Sequence, residues 1–161
     1  MHTGSAATKP PEVAQADKPR VVVMGASGYI GTNLVSELAA RGYPVRAAAR
    51  SMAVLAARGW EGVELAQADV LEMTAIEAAL AGQDVAFYLV HCMRAGDDFD
   101  DVERRGAQNF AAAAARAGIK RIVYLGGLIP RGADSRQLVT RNLTGDPLRA
   151  RTVPVNELRA G

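Results

Sequence analysis

Cysteine and long apolar runs are nearly absent from this chain of 161 residues. Cys92 is the single cysteine, which excludes a disulfide within the chain and a metal site built from several cysteines. One thiol is also typical of a protein from a reducing compartment, so we expect a cytoplasmic location. No apolar run comes near the ~18 residues that a membrane helix needs, so no membrane partner is expected.

The chain also has no large excess of positive or negative charge. The chain has 19 lysines and arginines against 17 aspartates and glutamates, which leaves a net charge of +2. Nucleic acids and anionic surfaces attract proteins with a much larger positive surplus. We therefore expect no nucleic-acid partner. Hydrophobic residues make up 49% of the chain and charged residues 22%, a composition that argues against disorder.

The first 19 residues differ in amino-acid composition from the rest of the chain. They contain three prolines and few large apolar side chains. They have no apolar core followed by a cleavage site, so a signal peptide is not expected. We expect residues 1–19 to be a flexible tail without a function of its own, and residues 20–161 to form one domain.

Short apolar runs alternate with segments of helical spacing after Arg20. The first run, Val21–Met24, is uninterrupted and rich in β-branched residues, as in a strand buried on both faces. Parallel strands need crossover helices, which lie on both faces of the sheet. We therefore predict an α/β fold, a doubly wound parallel sheet of the Rossmann type. The predicted strands are 21–24, 44–49, 63–66, 85–90, 119–125 and 153–158, and the predicted helices are 28–41, 51–58, 73–81, 98–117 and, with a weaker pattern, 134–149.

Three glycines, each three residues after the last, join the first predicted strand to the first helix. Gly25 permits a tight turn, Gly28 lets the backbone approach a pyrophosphate, and Gly31 lets the helix pack closely on the sheet. The helix start attracts phosphate through its free N–H groups and its dipole. Because the required strand and helix flank the glycines, we predict dinucleotide binding here; a glycine-rich turn without a ligand is the alternative. The predicted binding residues of the turn are Gly25, Ser27, Gly28, Tyr29, Ile30 and Gly31.

The chain resembles the short-chain dehydrogenase/reductase superfamily, in its extended or atypical branch, over VVVMGASGYIGTNLVSELAARGYPVRAAAR. Met24 stands where those proteins usually have Thr. The third strand and its turn are similar in ELAQADVLEM. A narrower resemblance to NmrA-like, sugar-epimerase-like NAD(P)-binding proteins is carried by AGQDVAFYLVHCM, GAQNFAAAAARAGIKRIVYLGGL and VPVNELRAG. The resemblance covers about residues 20–161 and implies a Rossmann fold, a dinucleotide cofactor and an oxidoreductase.

The end of the second strand bears on the choice of dinucleotide. An acidic residue about 20 positions after the glycines holds the ribose of NAD in such folds, and this chain has none there. Arg50 or, as second candidate, Arg46 can instead pair with a 2′-phosphate. We therefore predict NADP(H), with NAD(H) as the other possible cofactor and a solvated arginine as the alternative. The resemblance implies that Asp69 and Val70 border the adenine; the alternative for Asp69 is an N-cap of the next helix.

The usual catalytic residues of the superfamily are missing. The resemblance implies a Tyr with a Lys four residues later, and a Ser or Thr at the end of the fifth strand. No hydroxyl residue directly follows Tyr124 at that strand end, and no Tyr or Lys occurs in the chain after it. Arg141 cannot relay protons because it stays protonated. The catalytic residues are therefore unknown; the segment offers Ser135, Thr140, Arg141 and Thr144 instead.

Val90 and His91 lie at the end of the fourth predicted strand, where sheets of this type bind ligands. We therefore include both in the dinucleotide site. His91 could donate a hydrogen bond to cofactor or substrate, or act as a general acid; a structural histidine near the cleft is the alternative. No activating partner can be named for Cys92, so we do not expect a nucleophile there.

Several polar residues around the fourth helix have simpler interpretations. The aspartates before and within its first turn are favoured by the helix dipole, and we expect no metal site. Asn109 could hold the helix locally, position a water or lie on the surface. The aspartates are Asp97, Asp98, Asp100 and Asp101.

Two functions remain open from the sequence. The first is an atypical oxidoreductase that binds NADP(H) and acts on a small molecule of unknown identity. The second is a non-catalytic NADP(H)-binding redox sensor or assembly module, which the missing Tyr and Lys favour. Proteins of the resembling families are longer, because segments after the sixth strand build the substrate pocket. We therefore expect this chain to lack the substrate-binding part, and its sixth strand to favour marginal stability or self-association.

Overall fold

The structure is a computed structural model that describes residues 18–91, 99–127 and 144–160. Strands and helices alternate along these ranges. Within them, no helix is both long and apolar enough to cross a membrane. The strands are β1 Val21–Met24, β2 Val45–Ala49, β3 Glu64–Gln67, β4 Val85–Tyr88, β5 Arg121–Gly127 and β6 Val155–Ala160, and the helices are α1 Tyr29–Ala40, α2 Met52–Ala56, α3 Met73–Leu80, α4 Phe99–Ala117 and a short α5 over 144–149.

The six strands form one sheet in the order β3-β2-β1-β4-β5-β6, and every neighbouring pair is parallel. The chain first builds outward from β1 to β3 and then crosses back to place β4 on the other side of β1. The predicted doubly wound α/β sheet is therefore confirmed, and it is Rossmann-like. Where the strand order reverses, between β1 and β4, such sheets leave a crevice at the carboxyl ends of the strands.

Two hydrophobic clusters pack on opposite faces of the sheet because successive side chains of a strand alternate in direction. Val22 and Met24 of β1 belong to the cluster under α3 and α4, whereas Val21 and Val23 belong to the cluster under α1 and α2. The ring centroids of Tyr88 and Phe110 lie 4.8 Å apart in the first cluster. The uninterrupted apolar run of β1 thus reflects its place at the centre of a sheet covered on both sides.

Strand β4 ends earlier than predicted. The sequence predicted a strand to Val90, but the ladder stops at Tyr88, which lies opposite Met24. The N–H of Leu89 makes the last bond, to the carbonyl oxygen of Met24. The neighbouring strand turns away at Gly25, so residues 89 and 90 have no strand partner on that side. They leave the sheet and become part of the wall of the crevice.

The last two strands begin later than predicted. Ile119 belongs to the end of α4, because its N–H donates to the carbonyl oxygen of Ala114 across Gly118, whose φ is +71°. Strand β6 follows the register of β5, with Ile122 opposite Val155. Of the helix predicted over 134–149, residues 144–149 are helical and the others lie outside the described residues, as does nearly all of the predicted tail.

Candidate functional site

The glycine turn between β1 and α1 is shaped by the packing of the chain against itself. Gly25 has a φ of +92°, and a Cβ there would lie 2.9 Å from the carbonyl group of Leu89. At Gly31, a Cβ would lie 2.3 Å from the carbonyl oxygen of Gly25. Both separations are too short for a side chain, so the fold itself requires glycine at these two positions. This geometry agrees with the predicted tight turn and close helix packing.

Gly28 differs from its two neighbours in the motif. A Cβ there would lie 3.5 Å from the carbonyl oxygen of Gly25, an ordinary contact, and the φ of −74° suits any residue. Gly28 is the N-cap of α1, no side chain caps the helix, and its first turn contains no acidic residue. The first N–H groups of the helix therefore have neither a helical partner nor a side-chain cap. Nothing in the packing of residues 18–91, 99–127 and 144–160 requires a glycine at this position.

A cavity of about 410 Å³ opens at the carboxyl ends of β1, β2, β3 and β4. It lies at the reversal of strand order, where the topology predicts a ligand site. The side chains of Tyr29 and Ile30 are exposed, and neither residue lines it. Gly31 does not line the cavity either; its lack of a side chain lets α1 pack against Gly25. The other residues predicted from the sequence do line the cavity: Gly25, Ser27, Gly28, Arg50, Asp69, Val70, Val90 and His91.

Two arginines of the β2 segment have opposite surroundings. Arg50 lines the cavity, is exposed and has no ion-pair partner among the described residues. Arg46 lies at the other end of the strand, where Nη1 donates to the carbonyl oxygens of Ala79 and Ala81, at 2.7 and 2.9 Å. Its Nε lies 2.9 Å from the carboxylate of Glu64. Arg46 therefore binds the end of α3, and its assignment as second candidate for a 2′-phosphate is wrong.

The loop after β3 is held in place from two sides. Oδ1 of Asp69 accepts the N–H of Leu71 at 2.9 Å, an arrangement that closes a local turn. The N-cap of α3 is Glu72, so Asp69 is not the cap of that helix. Nδ2 of Asn109 on α4 donates to the carbonyl oxygen of Val70 at 3.1 Å. This contact joins α4 to the cavity wall, a role that was not among those predicted for Asn109.

His91 lines the cavity and contacts a buried carboxylate. Its Nδ1 lies 3.2 Å from Oε1 of Glu103, and the side chain of Glu103 is 1% exposed. The hydroxyl of Thr144 is 3.5 Å from the same oxygen. This contact supports the alternative of a structurally satisfied histidine, while the place of His91 on the cavity wall keeps it available to a ligand.

Three residues that support the cavity wall from behind were not predicted from the sequence. Nη2 of Arg58 donates to the carbonyl oxygen of Ser27 at 3.0 Å and ties the end of α2 to the glycine turn. A Cβ at Gly106 would lie 2.8 Å from Cγ2 of Val70, so the close packing of α4 against Val70 requires glycine at this position. Glu103 lies one helical turn before buried Ala107, a spacing that could have placed it on the inner face of α4.

Some predicted candidates lie outside the described residues: Cys92, Asp97, Asp98, Ser135, Thr140 and Arg141. Asp100 and Asp101 lie in the first turn of α4, as the interpretation by the helix dipole expects. Across residues 18–91, 99–127 and 144–160, no three histidines, cysteines or carboxylates come together as a group that could hold a metal ion.

Comparison with known proteins assigns the sequence to a family. Residues 17–133 match the NmrA-like family. The chain belongs to this family. The match begins just before β1 and ends after β5, so it includes the glycine turn and every strand end that lines the cavity.

Curated relatives of the chain include reductases and dehydrogenases. Cinnamoyl-CoA reductase 1 of Oryza sativa is 36% identical over 115 residues, which are 67% of this chain and 34% of the relative. The 3 beta-hydroxysteroid dehydrogenase/Delta 5-->4-isomerase of Mycobacterium tuberculosis is 32% identical over 115 residues, 65% of this chain and 30% of the relative. The chain thus spans about a third of the length of these curated relatives.

Solved structures share the fold. WbmG of Bordetella bronchiseptica, in complex with NAD, superposes with a TM-score of 0.73 and 19% identity, over 91% of this chain and 54% of that chain. Triphenylmethane reductase of Citrobacter sp., complexed with NADP(H), has a TM-score of 0.74 and 21% identity, over 87% of this chain and 48% of that chain. At these identities the likeness establishes the Rossmann-like architecture.

Proposed function

We propose that this chain is the NADP(H)-binding part of an NmrA-like oxidoreductase that acts on a small molecule. The observation that carries the proposal is the cavity at the reversal of strand order, where an uncapped helix start and the side chain of Arg50 line one space. The residues proposed to hold the dinucleotide are Gly25, Ser27, Gly28, Arg50, Asp69, Val70, Val90 and His91, with the backbone of Tyr29, Ile30 and Gly31.

The glycine turn supports a pyrophosphate ligand. Gly28 is free of the steric demands that the protein imposes on Gly25 and Gly31, so its missing side chain leaves room on the cavity side. Free N–H groups and the positive end of the helix dipole are the usual partners of a phosphate at this position. The solved structures of WbmG with NAD and of triphenylmethane reductase with NADP(H) support a nicotinamide dinucleotide as the ligand.

Arg50 supports NADP(H) over NAD(H). It follows β2, the position from which related folds reach the adenosine ribose, and no acidic residue stands there to accept the 2′-hydroxyl. Its guanidinium has no ion-pair partner within the described part of the chain, so it can form charge-assisted hydrogen bonds to a 2′-phosphate without breaking existing ones.

Titration of NADPH and NADH by calorimetry tests the choice of cofactor. We expect the Arg50→Ala variant to bind NADPH about 10- to 100-fold more weakly, the loss of charge-assisted hydrogen bonds, and to bind NADH with little change. Arg41→Ala is a matched control, because Arg41 is an exposed arginine at the far end of α1, paired with Glu37 at 2.6 Å. Equal losses of NADPH affinity in both variants would refute the role of Arg50, and no binding of either dinucleotide at millimolar concentration would refute the site.

A second candidate function is a non-catalytic NADP(H)-binding redox sensor or assembly module. It is favoured by the absence of any Tyr or Lys after Tyr124 in this chain. When bound, a nicotinamide dinucleotide supplies hydride transfer, and an enzyme also needs a group that moves the proton. NADPH oxidation with carbonyl, quinone and nucleotide-sugar substrates separates the candidates: turnover supports the oxidoreductase, whereas binding without turnover across the panel supports the sensor. Cytoplasmic location and self-association stay predictions.

A further inference from the structure

The carboxylate of Glu103 is buried behind the wall of the cavity, beside His91. Glu103 is 1% exposed on the inner face of α4, one turn from Ala107. A buried carboxylate costs several kcal/mol unless it is hydrogen-bonded. Its Oε1 lies 3.2 Å from Nδ1 of His91 and 3.5 Å from the hydroxyl of Thr144. A buried carboxylate thus lies within hydrogen-bond distance of His91, which lines the cavity.

The contact between the two residues determines which ring nitrogen carries a proton. A carboxylate oxygen can only accept, so Nδ1 of His91 must be the N–H that donates to Oε1 of Glu103. In the neutral ring, Nε2 is then an acceptor. Nε2 has no hydrogen-bond partner among residues 18–91, 99–127 and 144–160, and the side chain of His91 is 17% exposed. One acceptor nitrogen is therefore left for a molecule in the cavity.

We propose that Glu103 is a positioning residue that holds His91 in its Nδ1-protonated form, so that Nε2 accepts a hydrogen bond from a ribose hydroxyl of the dinucleotide. This inference rests on the proposed function. An acceptor nitrogen does not bind phosphate oxygens, which are acceptors themselves, whereas ribose hydroxyls can donate to it. Arg50 and the N-terminus of α1 would bind the phosphates, and His91 would bind a ribose hydroxyl.

The protonation state of the ring can be measured without any ligand. The chain has two histidines, His2 and His91, so ¹⁵N spectra of the imidazoles are assigned by comparison with a His91→Asn variant. We expect Nδ1 of His91 to carry the proton in the wild type, and the Nε2-protonated form, the usual one in free histidine, to prevail in Glu103→Ala. Glu103→Gln keeps an oxygen acceptor and should restore the wild-type form. Glu37→Gln, on the exposed face of α1, is the control.

Affinity for NADPH gives the second measurement. His91→Asn keeps an amide donor near the place of Nδ1 and removes Nε2, so it should fold and bind NADPH about fivefold to tenfold more weakly, the loss of one hydrogen bond. Glu103→Ala should weaken binding to a similar degree and Glu103→Gln less. An NADPH analogue that lacks the recognised ribose hydroxyl should bind the wild type as weakly as NADPH binds His91→Asn, with no further loss in that variant.

The two proposals fail in different ways. NADPH binding that is insensitive to His91→Asn and Glu103→Ala overturns the present inference and leaves the dinucleotide site intact. An Nε2-protonated ring in the wild type also overturns it. If the wild type binds no dinucleotide, the proposed function fails and the ribose contact with it, and the ¹⁵N spectra then show only whether Glu103 sets the protonation of His91.

Discussion

The amino and carboxyl ends of the central sheet differ in how their arginines and the neighbouring helix ends are paired. At the amino end, Arg46 binds the last carbonyls of α3 and lies beside Glu64, and Asp84 binds Lys120 at 2.7 Å and the N–H of Arg20 at 2.9 Å. At the carboxyl end, the start of α1 has no side-chain cap, and Arg50 has no ion-pair partner in the described part of the chain.

The difference separates polar groups that stabilise the fold from those kept for a ligand. Parallel sheets of this topology bind ligands at their carboxyl ends, where loops from several strands meet. Two arginines of one segment, Arg46 and Arg50, have the same chemistry and different tasks, because only one of them faces the end of a helix of its own chain.

The largest effect is expected at the glycine turn. Gly31→Ala places a methyl group 2.3 Å from the carbonyl oxygen of Gly25, so α1 must move and the free energy of unfolding should fall by about 1–3 kcal/mol. Gly28→Ala meets only an ordinary contact at 3.5 Å, so it should cost less stability than Gly31→Ala, about 1 kcal/mol because Ala is a poorer N-cap than Gly. It should weaken NADPH binding, because Gly28 lines the cavity. Chemical denaturation and calorimetry measure the two quantities. Full NADPH affinity in Gly28→Ala would contradict a pyrophosphate at this turn.

The two arginines should give opposite results on the same two assays. Arg46→Met removes the hydrogen bonds to the end of α3 and should lower the free energy of unfolding by about 1–2 kcal/mol, with no change in the Kd of NADPH. Arg50→Met should change the Kd and leave denaturation as it is. A loss of NADPH affinity in a folded Arg46→Met protein would remove the distinction between the two ends.

The smallest effect concerns pH. The hydrogen bond from Lys120, and next the N–H of Arg20, hold the pKa of Asp84 below its ordinary value. Because this pKa is lowered in the folded state, the pair stabilises the fold above a pH of about 4, and the contribution is lost as the pH falls further. Asp84→Asn should reduce the free energy of unfolding at neutral pH by about 1 kcal/mol or less, and the difference from wild type should vanish in acid. A difference that is constant with pH would contradict this assignment.

Much of this division could be predicted from local sequence. The apolar run of β1, the three glycines and the helical spacing after them are short-range patterns, and they predicted β1, α1 and the glycine turn that lines the cavity. Arg46 and Arg50 could not be separated in this way, because the partner of Arg46 is the end of α3, over 30 residues later in the chain. Glu103 stands in a run of charged residues; its spacing from Ala107 could have placed it on the inner face of α4, but its contact with His91 depends on the packing of α4 against the sheet.

One measurement tests the division most directly: a map of backbone amide chemical shifts in the ¹⁵N-labelled protein as NADPH is added. The account predicts large changes at Gly25 to Gly31, Arg50, Asp69, Val70 and His91, which lie at the carboxyl end of the sheet. It predicts almost none at Arg46, Asp84 and Lys120. Changes centred on the amino end, or no change at millimolar NADPH, would contradict the central claim that the carboxyl end is kept open for a dinucleotide.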